Sequence, residues 1–214
     1  ITCGSASCDP YSPSSGVNGN VRDWRDEVGA DLLVQIVRYN DDQACGVGWI
    51  PFESTHLTLD LKTYTHNINA IEGLNGGSCS PYVVAHEMGH NFGLWHDSGT
   101  LTEEGWNGYP APLYPYAHGH AVNGVFNTVM AYGNNLIGTL SSPFVTYTSG
   151  NITYPAGVAV GNSDEAYAAL AVQNVMSLYE DLYDNTPPTY YEVTANASGG
   201  GSISPSSATV LEGE

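Results

Sequence analysis

The sequence predicts an α+β fold, and three observations carry that prediction. Strand-like segments crowd the first third of the 214-residue chain. Helical periodicity is strongest at Tyr82 to Phe92 and again beyond Asn162, and a long stretch rich in Gly, Pro, Asn and aromatic residues separates those two helices.

Residues 1 to 19, rich in Ser, Gly, Pro and Asn, read as irregular chain held in place by Cys3 and Cys8. Gly19 to Gly29 reads as a short helix, with Val21, Trp24 and Val28 spaced to lie on one face and Gly29 as its stop. Asp31 to Arg38 is expected to be a buried strand. Two more strands are expected, Cys45 to Ile50 and His56 to Tyr64, the second alternating Leu57, Leu59 and Leu61 with polar neighbours as an edge strand does. Pro81 suits a first helical turn, and the helix Tyr82 to Phe92 can end at Gly93 in a left-handed conformation. From Asp97 to Ile137 the composition predicts long ordered loops with little regular structure, of the kind that carry function. A helix is expected from Asn162 or Ser163 to about Tyr183, with Ser163 as cap and an apolar stripe of Ala166, Leu170, Val172, Val175 and Leu178. Asn185-Thr186-Pro187-Pro188 then breaks it. Residues 1–184 are thus one domain, 185–189 a Pro-rich linker, and 190–214 the start of a second module, too short to bury a core alone. Its two strand-like segments around a Gly199-Gly200-Gly201 turn resemble the opening of bacterial internalin-type β-repeats, which implies a chain continuing past Glu214.

Four Lys and Arg stand against 22 Asp and Glu, a formal net charge of −18 that repels phosphate backbones and anionic lipid surfaces. Nucleic acid is therefore excluded as a partner, and no apolar run is long enough to insert in a membrane. Hydrophobic residues at 42% make the chain foldable, and a monomer is expected. The four cysteines allow three pairings and lack a C-x-x-C spacing, which favours disulfides over a thiolate metal site and points to a secreted, extracellular protein. Cys3 with Cys8, as close neighbours, and Cys45 with Cys79, which flank one core region, are the expected pairs.

The most informative string is His86-Glu87-Met88-Gly89-His90-Asn91-Phe92-Gly93-Leu94-Trp95-His96-Asp97. At i and i+4 on a helix, His86 and His90 project from one face and reach one metal ion. Gly93 lets the chain reverse so that His96 returns as a third ligand. Three neutral nitrogen donors leave one tetrahedral position open, the pattern of a catalytic zinc site, and Glu87 is placed to take a proton from zinc-bound water and pass it to a leaving amine. With seven histidines in the chain, the full spacing arises by chance roughly once in twenty thousand such sequences, so it is a specific signal. His56, His66, His118 and His120 have no partner at ligand spacing and read as loop or strand histidines. The acidic residues make Ca2+ a further candidate ion, though no EF-hand-type loop or ligand set is present.

Followed by Thr128-Val129-Met130-Ala131-Tyr132, this string resembles the metzincin clan of zinc metalloendopeptidases with its Met-turn. Asp97 directly after the third histidine is similar to the reprolysin/adamalysin branch. The segments WRDEVGADLL, ACGVGW, VVAHEMGHNFG, NTVMAY and SSPFVTY look most like its secreted bacterial members, including the peptidyl-Asp metalloendopeptidases. The resemblance covers roughly Val21 to Tyr179. It implies a mixed sheet, a zinc-binding active-site helix, an irregular lower subdomain with the Met-turn, a C-terminal helix, and a cleft that cuts protein or peptide substrates. It also implies Met130 as an apolar floor, Asp97 hydrogen-bonded into the Met-turn region, and Tyr132 where astacins and serralysins carry a tyrosine that stabilises the oxyanion. The alternative is a zinc-holding adhesion or binding module of the same fold without turnover, against which Glu87 argues. Two departures stand out. Nothing in residues 1–20 resembles the family's opening strand and long helix, and residues 131–150 contain no basic side chain, which predicts no acidic preference there and a bias toward neutral or basic substrates.

Overall fold

The computed structural model describes residues 17–39, 45–58, 61–72, 77–105, 112–148, 157–180, 182, 190–194 and 207–211. Cys3, Cys8, the 185–189 linker and the triple-glycine turn lie outside them. The chain divides into two compact units, Ile1–Leu182 and Tyr183–Glu214.

The first unit opens with α1 (Val17–Val28), which Gly29 ends at φ +65°. The apolar side of α1 is not its packed side: Trp24 is 60% and Val28 74% exposed, whereas Arg25 is buried at 4%. Arg25 wins the interior because its guanidinium reaches Lys62 O at 2.7 Å and Thr65 Oγ1 at 2.5 Å, and pairs with Asp26 at 2.8 Å, so its charge is satisfied where it is buried.

The sheet contains β1 (Leu33–Tyr39) and β2 (Gly46–Gly48). The expected third strand over His56–Tyr64 is instead two short helices, α2 (Ser54–Thr58) and α3 (Leu61–Tyr64). Leu57 and Leu61 are four residues apart as well as in alternation, and both pack on a cluster with Val175 and Tyr179, a contact that a helical course offers. The third strand comes after them as β3 (His66–Glu72). It is the middle strand of a mixed sheet in the order β1-β3-β2, parallel to β1 from Leu33↔His66 and antiparallel to β2 at Gly46↔Asn69 and Gly48↔Asn67.

Across β2 and β3 lies α4 (Val83–Asn91). A buried amide ladder joins it to the sheet: Asn69 Nδ2 donates to Asn67 Oδ1 at 2.6 Å, Asn67 Nδ2 to Asn91 Oδ1 at 2.7 Å, and Asn91 Nδ2 to His66 O at 2.8 Å. Among the described residues β1 is an edge of this sheet and α4 packs chiefly on β2 and β3, so β1 is not the buried strand its sequence suggests. Val34 and Ile36, on the face that α4 partly covers, stay 36% and 53% exposed. The disulfide Cys45–Cys79, Cα–Cα 5.6 Å, ties the start of β2 to the segment that enters α4.

Between α4 and the closing helix the described residues are largely irregular, as the composition predicts, with three small exceptions. These are α5 (Ser98–Glu103), a hairpin of β4 (Ala121–Val122) with β5 (Phe126–Asn127), and a pair of β6 (Thr146–Tyr147) with β7 (Val158–Ala159). The closing helix α6 runs Ala168–Glu180, beginning five residues after Ser163. Asn162 Oδ1 accepts from Asp164 N and Glu165 N in a local turn, and α6 starts at Ser141, whose Oγ accepts from Ala168 N at 2.9 Å. Its buried positions are Ala168, Ala171, Val175 and Tyr179, whereas Leu178 is 38% exposed. Leu94, Ala117, Val129, Met130, Ala168 and Ala171 form the core beneath α4. In the second unit β8 (Tyr190–Thr194) and β9 (Ser207–Leu211) pair antiparallel.

Candidate metal centre

The centre begins with helical spacing. On α4, His86 and His90 stand one turn apart with ring centroids 4.8 Å apart and planes at 90°. Gly93 then takes φ +82°, a conformation a Cβ disfavours by about 1–2 kcal/mol, and its N–H closes onto His90 O at 2.9 Å. The reversed chain is pinned by Trp95, whose N–H donates to Ala117 O at 2.8 Å and whose carbonyl accepts from Gly119 N at 3.0 Å. His118 Nδ1 bonds His96 O at 2.9 Å. That anchorage brings His96 back over α4, with its Nε2 3.1 Å from His86 Nε2 and 3.2 Å from His90 Nε2.

Each ring's other nitrogen is already committed. His86 Nδ1 donates to Val129 O at 2.7 Å, His90 Nδ1 to Leu94 O at 2.8 Å, and His96 Nδ1 to Glu104 Oε2 at 3.2 Å. All three rings are thereby set as Nδ1–H tautomers with Nε2 lone pairs converging on one point. Nitrogens about 2.05 Å from a tetrahedral zinc ion lie ~3.3 Å from one another, close to the spacing seen. Burial lowers the His86 pKa to about 4, with His96 adding to the fall and the Val129 carbonyl opposing it. Burial likewise drives His90 well below its ordinary value, helped by His86 and His96. Both are therefore neutral near pH 7, as metal ligation requires. Among the described residues this is the one group of three or more His, Cys, Asp or Glu donors gathered as a metal site, and no carboxylate set for calcium accompanies it.

Glu87, next to His86 on α4, is 5% exposed. Burial raises its pKa to about 8, against a hydrogen bond from the Gly48 backbone that lowers it. Met130 is fully buried under the same helix: a Cβ on Gly89 would meet its Sδ at 2.4 Å. Asp97 accepts from Thr100 N at 3.1 Å, capping α5, and its Oδ2 takes the Tyr132 N–H at 3.3 Å. Tyr132 lies beside the triad, its ring 4.5 Å from that of His96 and 5.6 Å from that of His86. Burial, then Glu104 and Glu87, push its hydroxyl up to about 12. A cavity of about 760 Å3 adjoins it, lined in part by Asp97, Glu103, Glu104, Asn127 and Tyr132.

Three functional positions escape a reading of the sequence. Gly46 and Gly48 lie against α4, where added methyl groups would stand 2.4 Å from Glu87 Oε1 and 2.5 Å from Glu87 O. Two glycines flanking one strand residue are the signal that could have revealed this close approach. Glu104 carries no such signal, since the fold alone places it against His96.

Residues 11–158 match the model of the metallo-peptidase family M12B, reprolysin-like. The chain is 25% identical over 194 residues to a peptidyl-Asp metalloendopeptidase of Pseudomonas aeruginosa, covering 85% of this chain and 30% of that protein. This sequence thus spans less than a third of the relative's length. A chain from a solved structure described as a chaperone-substrate complex shares the fold, with TM-score 0.50 and 23% identity over 75% of this chain and 22% of that one. A family match across more than half of the sequence, converging on the histidine triad, shows that this chain belongs to the reprolysin-like M12B metallopeptidases.

Proposed function

We propose that residues 1–184 are the catalytic unit of a secreted zinc endopeptidase that hydrolyses peptide bonds in proteins, followed by a linker and a β-repeat-like segment. The observation that carries the reading is the convergence of three Nε2 atoms, each backed at Nδ1, with buried Glu87 on the same helix turn as His86. Zinc held by His86, His90 and His96 supplies a Lewis acid that polarises a peptide carbonyl and acidifies water. Glu87 takes the proton of the attacking water and returns it to the amide nitrogen as the C–N bond breaks. Its buried position excludes competing solvent. Tyr132, protonated throughout the neutral range, donates from its hydroxyl to the oxygen where negative charge develops. Thr128 to Tyr132 acts as the Met-turn of an irregular lower half, Met130 being the floor under α4 and Asp97 the brace that holds Tyr132 by its N–H.

An extracellular setting is supported by the Cys45–Cys79 disulfide. No helix among the described residues is long and apolar enough to cross a membrane. The relative's printed name points to cleavage beside aspartate, whereas the acidic lining of the cavity at Tyr132 and the net charge of −18 favour neutral or basic side chains.

The test is digestion of a proteome-derived peptide library with and without a zinc chelator, cut sites read by mass spectrometry, alongside Glu87→Ala. Chelator-sensitive cuts that vanish in the variant while zinc is retained support the reading. No cuts from the zinc-loaded protein overturn it in favour of a binding module, and a profile dominated by aspartate overturns the charge argument alone.

A further inference from the structure

We propose that Glu104 is a positioning residue of the metal centre, its carboxylate holding His96 by Nδ1 and so setting how tightly the centre retains its ion. The inference rests on the metal reading of the triad, not on the reaction that the centre performs. The three backing contacts differ in kind. His86 and His90 lean on backbone carbonyls, Val129 O and Leu94 O, which the core fixes. His96 alone leans on a side chain, Glu104 Oε2 at 3.2 Å.

His96 is also the ligand with the least local support. It lies outside α4, and the bonds at Trp95 N and O and from His118 to His96 O hold its backbone and not its ring, which packs 4.5 Å from the ring of Tyr132. Glu104 adds a hydrogen bond that fixes the ring's rotation and tautomer, and a carboxylate partner raises the donor strength of Nε2 beyond what a carbonyl gives. Its placement is built in. Asp97 caps α5 at one end, and Glu104 N closes the last turn onto Thr100 O at 2.9 Å at the other. Asp97 also grips Tyr132 N, so this six-residue helix is fastened to the site at both ends. The Glu104 side chain is 36% exposed, where a charged pair contributes little to folding. The effect therefore belongs to the metal and not to the stability of the fold.

The test titrates the zinc-loaded full chain with a chromophoric chelator and compares the parent with Glu104→Ala, Glu104→Gln and Glu104→Asp. Glu104→Ala is expected to lose about 10–100-fold in zinc affinity, Glu104→Gln less, since its amide still accepts the hydrogen bond, with Glu104→Asp recovering part of the loss. The visible bands of the cobalt-loaded protein should move in Glu104→Ala. Zinc affinities of Glu104→Ala and Glu104→Gln within about twofold of the parent, with cobalt bands unmoved, overturn the proposal. Should Glu104→Ala fail to fold, the near-isosteric Glu104→Gln decides alone. A parent that holds no zinc overturns this inference and the metal reading together, whereas a parent that holds zinc and cuts no peptide overturns only the proposed activity.

Discussion

Glu87 and Gly46 are in near contact: a methyl group on the glycine would stand 2.4 Å from Glu87 Oε1 and 2.5 Å from its Cγ. β2 is thus the roof that keeps the carboxylate dry. Gly46→Ala should push the Glu87 side chain aside while leaving the three imidazoles in place. Zinc content should stay at one ion per chain, while the rate of chelator-sensitive peptide hydrolysis falls by about 10²–10⁴, the range expected for losing a general base. Equal activity in the two proteins would show that the roof does not position Glu87.

The metal-free chain should have a stability optimum near pH 6.5. Glu87 titrates at about 8 when folded, above its ordinary 4.5, so its contribution is complete below about 4.5 and is lost as pH rises through 8. His86, lowered to about 4, and His90, lowered well below its ordinary value by burial, contribute fully above about 6.5 and lose that as pH falls. These two histidines, joined by His120, which burial also lowers, outweigh one glutamate below 6.5, and the glutamate acts from there to 8. Melting temperatures of chelated protein from pH 4 to 9 should trace a dome, and Glu87→Gln should flatten its alkaline side and steepen its acid side between about 4.5 and 6.5.

Met130→Ala should cost about 2–5 kcal/mol of stability, and Met130→Leu under about 1.5 kcal/mol, because the fully buried side chain fills the space under Gly89. Denaturant unfolding of the zinc-loaded variants measures both. A loss near zero for alanine would mean that the floor collapses to refill the space.

Replacing Cys45 and Cys79 by serine opens a loop of sequence separation 34 and should destabilise the chain by about 4 kcal/mol. The same change frees the start of β2 from the entry to α4, so hydrolysis should weaken at temperatures well below the melting point. Unchanged thermal profiles of activity in the double variant would separate the disulfide from the site.

What was legible in the sequence is what local geometry decides. Two ligands one helical turn apart and a glycine that must take positive φ leave a mark in any window of twelve residues. The Cys45–Cys79 pair, 34 residues apart, was only one of three pairings the cysteines allow. The misread segments are those where distant contacts choose between two local patterns. Leu57 and Leu61 satisfy alternation and a helix face equally, and Val175 and Tyr179 across the core select the helix. The central strand β3 was invisible because its core residues include Asn67 and Asn69, whose burial depends on an amide ladder ending at Asn91. Trp24 and Val28 carried a hydrophobic face that nothing in the first unit's described residues covers, while Arg25 found partners 37 and 40 positions away. α5 could have been read from Asp97 as a cap. Glu104 could not, since no local rule links it to His96.

The backing contacts also run in one direction along the chain. His86 relies on Val129 O, His96 on His118, and His118 O on Ser141 Oγ, which in turn receives the N–H of Ala168 at the start of α6. A ribosome that has just delivered Asp97 has made every histidine of the triad but none of those supports. The centre becomes whole only when more than seventy further residues have followed. Translation order alone therefore gives the nascent chain His90 with its Leu94 partner first, and the partners of His86 and His96 only afterwards.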